Sequence, residues 1–150
     1  MVAGGCVVNR INIICLGVKD MAESIRFYRD GLGFVTDEAR VSPPVVFFSS
    51  AGTKLELYPI NLLAQDINED DPPPIAHGFA GITLAYNARS VSEVDSVVQQ
   101  AILAGATVAK SPRNVFWGGY SGYFIDPNGY YWEVAFNPEW KFDDTGMLLI

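Results

Sequence analysis

Two glutamates stand where the surrounding residues give little reason for a charge. Glu56 sits in Lys54-Leu55-Glu56-Leu57-Tyr58 and Glu133 in Tyr131-Trp132-Glu133-Val134-Ala135, each between apolar neighbours. In an extended strand alternate side chains point to opposite faces, so each acid leaves the face that its neighbours bury. If the two runs hold equivalent places in a repeated unit, their carboxylates approach one another across a shared concavity. Carboxylates that are close and poorly solvated repel, which keeps one of them protonated near neutrality. Such a pair suits proton transfer at a carbon next to a carbonyl. Glu133 and Glu56 are therefore the candidate catalytic residues. The alternative is that each bonds backbone or Tyr hydroxyls, or faces water.

Other reactive or recognition-capable groups are few. Cys15 lies in the apolar run Ile11 to Val18 and either faces the same concavity or fills the core as a small hydrophobe. The single histidine, His77, is either a loop residue beside Gly78 or a ligand. Arg113 either attracts an anionic substrate or is an exposed loop cation. Aromatics are plentiful: Phe47, Phe48, Tyr58, Phe116, Trp117, Tyr120, Tyr123 and Tyr131 supply core, sheet pairs or pocket walls. In Val115-Phe116-Trp117-Gly118-Gly119-Tyr120, two glycines let the backbone bend close to a bound planar group.

The elements that would position these residues come in two similar sets. Ile11 to Val18 is short, apolar and β-branched, which fits a buried strand. Asp20 with Glu23 marks a helix start, Met21, Ile25, Tyr28 and Leu32 form its apolar stripe, and Gly31 and Gly33 end it. Strands are expected at Phe34-Val35, Val45 to Phe48 and Lys54 to Tyr58. A second strand–helix pair follows, Gly81 to Tyr86 and then a helix capped by Ser90 with Glu93 and closed by Gly105. Strands are expected again at Thr107 to Ala109, Tyr120 to Ile125 and Tyr130 to Phe136, the last two joined by the turn Asp126-Pro127-Asn128-Gly129. Leu16-Gly17-Val18 lies over Leu84-Ala85-Tyr86 at an offset of 68, and Leu55-Glu56-Leu57 over Trp132-Glu133-Val134 at 77. A period this long, met only twice, indicates a duplicated half-domain.

The expected architecture is α+β: two βαβββ modules whose mixed, mostly antiparallel sheets form a curved half-barrel around a central pocket. Residues 1–150 make a single domain, with module one at about 10–60, a polar, proline-rich linker at about 61–78 and module two at about 79–138. The tail at 139–150 is an extended flap or edge element, with an apolar end suited to a dimer contact.

Two stretches then resemble a known family. Leu16-Gly17-Val18-Lys19-Asp20 leading to Ser24-Ile25-Arg26-Phe27-Tyr28 and Gly31-Leu32-Gly33-Phe34, and Gly122 to Gly129 leading to Trp132-Glu133-Val134, are similar to the opening and closing motifs of the vicinal oxygen chelate superfamily, which includes glyoxalase I, extradiol dioxygenases, fosfomycin-resistance enzymes and bleomycin-binding proteins. The resemblance spans residues 10 to 138. It implies four metal-ligand places, falling on Ile13, Glu56, Gly81 and Glu133. Only the glutamates carry donors, so no cofactor is expected, and a divalent metal, if bound, would depend on Glu56, Glu133 and water. Ile13, Cys15, Phe48, Arg113, Trp117, Tyr120, Tyr123 and Tyr131 are the candidate substrate-binding residues.

Composition bounds the function. With 49% hydrophobic residues in 150, the chain has ample apolar surface for one core. A net charge of −7 lacks the basic stripe that nucleic acid requires, and no apolar run reaches the ~18 residues of a membrane span. Two cysteines without a disulfide framework suit a cytoplasmic home. Three functions fit: a metal-free small-molecule pocket of the bleomycin-resistance type, a lyase or isomerase with Glu133 as general base, or a dimeric structural or interaction module. A homodimer is expected in each.

Overall fold

The computed structural model describes residues 4–150. The single-domain assignment reaches Met1, and residues 1–3 lie outside that range. Module one opens with strand β1 (Ile13–Val18) and helix α1 (Met21–Ile25), where Asp20, in extended backbone, accepts the Glu23 N–H at 3.0 Å. The helix passes without a break into a π-helical turn over Arg26–Gly31, closed by the Leu32 N–H on the Phe27 carbonyl. The wider turn lets the sequence neighbours Phe27 and Tyr28 both bury their rings.

Phe34-Val35 is not a strand. The Phe34 N–H bonds back to the Tyr28 carbonyl and its ring packs between Phe48 and Trp132. Pro43 and Pro44, just before β2 (Val46–Phe48), lack the donors that would extend a ladder. Module one thus has three strands, ordered β1-β3-β2, with β3 (Lys54–Pro59) parallel to β1 and antiparallel to β2.

The connector begins as helix α2 (Ile60–Ile67) and only then runs irregularly, exposed from Gln65 to Thr83. Ile60, Leu63, Ala64 and Ile67 recur at helical spacing, a signal that the acids and prolines downstream obscure. Ile60 lies on Gly17, where a Cβ would come within 2.8 Å of its side chain.

Module two comprises β4 (Thr83–Asn87), α3 (Val91–Ala104), β5 (Thr107–Asn114), β6 (Tyr120–Ile125) and β7 (Tyr131–Phe136), in the sheet order β4-β7-β6-β5. Ser90 caps α3 through the Glu93 N–H, and Gly105 ends it at φ 117°, a left-handed conformation that favours glycine. β5 runs on to Asn114 through two irregularities of register. The tail forms a small hairpin, β8 (Lys141–Phe142) with β9 (Leu148–Leu149), and lies on both modules: Met147 covers Gly52, and the Arg89 guanidinium stacks 5.1 Å over the Phe142 ring.

The expected α+β class stands, with two open mixed sheets. Among the described residues no ladder joins them. They meet through their helix-side faces, which share one core centred on the fully buried Tyr28, whose ring meets Phe48 of module one at 6.3 Å and Trp132 of module two at 6.1 Å. Its hydroxyl donates to Asp126 Oδ2 and accepts the Trp132 indole N–H at 3.1 Å. Around this centre the Asn128 side chain bonds Ser24 and the Lys19 N–H, and the Tyr130 hydroxyl bonds the Gly17 carbonyl. Apolar burial brings the modules together, and these directed bonds between them fix their orientation.

Candidate functional site

Since the helix-side faces are consumed in the core, the opposite faces look outward, and both glutamates lie on them. On the first sheet Glu56 pairs with Cys15 in β1 and Phe47 in β2, with Ile13 two residues along β1. Ile13 is 46% and Phe47 50% exposed. On the second sheet Glu133 pairs with Ala85 and Tyr123, whose hydroxyl donates to Glu133 Oε2 at 3.0 Å. Burial of that hydroxyl and the adjacent carboxylate raise the Tyr123 pKa, so it stays protonated and remains a donor. The Lys110 ammonium lies 6.0 Å from the Tyr123 ring centre. Tyr131 shares the face, half-buried, with Phe79 packed edge-on at 5.3 Å. Arg113 is exposed and registers with Ser121, two residues before Tyr123.

Several expected site residues stand elsewhere. Phe48 is 1% exposed and belongs to the core, because alternation along β2 turns Phe47 outward instead. Phe47, one of the aromatics that the sequence offers for core, sheet pairs or pocket walls, takes the outward place, because its register opposite Glu56 puts it on the acid's face. Tyr120 lies on the helix side, where its hydroxyl bonds Asp95 of α3. Trp117 stacks on Trp140 at 5.8 Å and folds over Gly119, which has no room for a Cβ. His77 lies exposed in the connector and lines a cavity with residues of α2 and Tyr131.

The place equivalent to Ile13 also moves. Ile13 pairs with Lys54, and Thr83 pairs with Tyr131. The helix caps Asp20 and Ser90 are 70 residues apart, not 68. Thr83, not Gly81, is therefore the counterpart of Ile13, and Gly81 is a turn glycine at φ 79° before β4.

Within one chain the two acids are not brought together. Among the described residues no hydrogen bond or ion pair joins Glu56 to Glu133, and each alternates with core residues along its strand, on the side of its sheet turned away from the common core. No group of three or more His, Cys, Asp or Glu is placed to hold a metal ion among those residues. An isoleucine, a threonine and two carboxylates do not make a divalent-metal cage.

Cys15 is held as a thiol. Burial, then the neighbouring Glu56 charge and a hydrogen bond to that carboxylate, push its pKa up to about 12. Thiolate is the reactive form, so at pH 8 a maleimide should label the exposed Cys6 at least about a hundredfold faster than Cys15, as read by peptide mass spectrometry. Comparable rates would show that burial and Glu56 together do not hold the Cys15 proton.

Two apolar-cored modules locked back to back, each presenting one acid on an outward sheet face, define a protein of the glyoxalase-fold class. The chain belongs to the Glyoxalase/Bleomycin resistance protein/Dioxygenase superfamily, whose family model matches residues 10–134. It is similar to a glyoxalase-related enzyme from Fulvimarina pelagi, with 27% identity, 95% of this chain and 99% of that one covered, and a TM-score of 0.84. An uncharacterized protein of Mycobacterium tuberculosis is 28% identical over 80% of this chain and 70% of its own length. A lactoylglutathione lyase structure from Agrobacterium tumefaciens, 23% identical with a TM-score of 0.62 over 90% of this chain and 98% of that one, shares the fold. No helix among the described residues is long and apolar enough to cross a membrane.

Proposed function

We propose that this chain is a small-molecule-binding protein whose site is completed by a second copy, with the first-sheet face of one chain over the second-sheet face of the other. One observation carries the reading: both helix-side faces are spent on a single internal core, leaving two outward faces with an apolar rim and an acid at the centre of each. A twofold dimer that docks face one on face two does so twice, giving two identical composite pockets. Ile13, Cys15, Phe47 and Glu56 form one wall. Thr83, Tyr123, Tyr131 and Glu133 of the other copy form the second, with Lys110 and Arg113 at its margin. Aromatic walls with a few polar groups suit an organic ligand without a metal. Two free thiols fit a cytoplasmic setting.

Sedimentation tests the assembly. The protein should run at twice the 16.4 kDa chain mass, and Phe47→Asp, a change at a half-exposed position, should give a folded monomer with an unaltered far-UV spectrum. A wild-type monomer at micromolar concentration would sink the composite pocket.

A second reading is favoured by the Tyr123 bond. That hydroxyl occupies one oxygen of Glu133 and fixes the carboxylate plane, leaving Oε1 to take a proton from a substrate carbon. In this reading the chain is a metal-free lyase or isomerase with Glu133 as general base.

A further inference from the structure

A second cavity, of about 370 Å³, opens between the modules on the helix side of the second sheet. We propose that it binds a small, neutral, planar heteroaromatic molecule carrying one N–H or O–H donor. The cavity is separate from the acid-bearing faces, because Phe124 and Trp132, which line it, point to the opposite side of their sheet from Tyr123 and Glu133. Module one supplies Leu32 to Val35 and Ser49 to Ala51, and module two supplies α3 and sheet residues, so a ligand there touches both halves of the fold.

The ligand class follows from the walls. Phe124 and Trp132 stack on each other at 5.9 Å as the buried floor, and the partly exposed Phe34 meets Trp132 at 6.1 Å, so the aromatic surface open to a flat ring system is chiefly that of Phe34 and the Trp132 edge. The volume lies at the lower end of the range for small-molecule pockets, ~300–1,000 Å³, which suits a bicyclic ring. No charged residue lines it, although 18% of the chain is charged, so an ion placed there would lose water and find no counter-charge. Polar groups are sparse and partly engaged. The Tyr86 hydroxyl donates to Glu93, the Ser50 hydroxyl donates to the Thr53 carbonyl, and Gln100 Nε2 donates to the Gly31 carbonyl at 2.9 Å. The Gln100 side-chain oxygen and the exposed Ser49 hydroxyl are left as acceptors at the cavity, which favours a ligand with a donor. A ligand held here bridges the β2–β3 turn to α3, so its binding stabilises the closed pairing of the modules.

Indole, neutral and planar with a single N–H, is the probe, and benzothiophene, which lacks the donor, is its control. Titration of the full-length protein followed by amide NMR should show saturable binding of one indole per chain, with shifts at Phe34, Val97 and Trp132 and none at Tyr123 or Tyr131. Val97→Trp fills the cavity and should weaken indole at least tenfold; if that variant fails to fold, Ala51→Trp at the exposed mouth serves the same purpose. Indole should bind more tightly than benzothiophene, and Gln100→Leu should erase that preference. Absence of saturable binding, shifts confined to the Glu133 face, or unchanged affinity in the filled variants would each overturn the assignment. Because the readout is local to the helix side, failure of the dimeric pocket would leave this result unaffected.

Discussion

Asp126→Ala is expected to lower folding stability by about 3–4 kcal/mol, because it strips a buried network of the carboxylate that accepts three of its hydrogen bonds. Asp126 is 4% exposed. Its Oδ2 accepts from the Tyr28 hydroxyl, and its Oδ1 accepts the N–H groups of Asn128 and Tyr130 at 2.9 and 2.8 Å. Removing it leaves the buried Tyr28 hydroxyl proton and two turn N–H groups without an acceptor, although that hydroxyl still accepts from Trp132, and the turn they shape carries Asn128, which bonds Ser24 and Lys19 in module one. For a chain of this length the loss corresponds to a melting point lower by about 10 °C. Denaturant titration gives the direct measurement. A loss below about 1 kcal/mol would mean that the network is decoration on an adequate apolar core. Tyr28→Phe keeps the ring and should reproduce part of the loss.

The same carboxyl makes stability depend on pH in an unusual direction. Burial raises the Asp126 pKa above its ordinary value, outweighing the hydrogen bonds from Tyr28 and the turn N–H groups that act to lower it. Between the ordinary value, about 3.9, and the raised folded-state value, the folded chain keeps a proton that the unfolded chain has released. Stability attributable to this group therefore falls as pH rises through that window and is level above it. Asp126→Asn removes the titration, so the difference in stability between wild type and variant should shrink across the window. A flat difference would show that the carboxylate is already ionised at its low end.

Glu133→Gln is expected to cost function without costing the fold. Glu133 is half-buried on an outward face, where Tyr123 donates to it, so its replacement by an amide of the same shape should leave the melting temperature nearly unchanged. If it is the base, any solvent-deuterium exchange that the wild type catalyses in a panel of α-hydroxycarbonyl compounds should drop by about 10²- to 10⁴-fold. Tyr123→Phe should have a smaller effect, since it loosens the carboxylate and keeps it. Saturation-transfer NMR on the same panel separates the readings: ligand binding with no exchange in the wild type favours the pocket alone. A melting point that falls by several degrees in Glu133→Gln would instead assign the residue a structural part.

Much of this was legible in the residues because local rules wrote it. The caps at Asp20 and Ser90, the glycine after α3, the turn at 126–129 and the alternation that turns Glu56 and Glu133 away from Leu55, Leu57, Trp132 and Val134 are short-range features, and the coordinates reproduce each. Where the reading slipped, a long-range partner was deciding. A two-residue slip in the repeat preserves the period of two, so the sequence points to Gly81, and only strand pairing, which sets Thr83 opposite Tyr131, fixes the register. Phe34 has the composition of a strand residue, yet its ring is drawn into the space between Phe48 and Trp132. Phe47 and Phe48 are the same residue type side by side, and only the pairing of Phe47 with Glu56 tells which one looks out.

The amino-acid order alone determined two similar modules and an acid on the free face of each. Tertiary structure decided which faces the modules share. The helix-side faces carry the apolar side chains of the shared core, and the Tyr28 hydroxyl reaches Asp126 and Trp132 because the modules meet on that side. The carboxylates are consequently left looking outward, and the second cavity exists only because two distant segments close around Trp132.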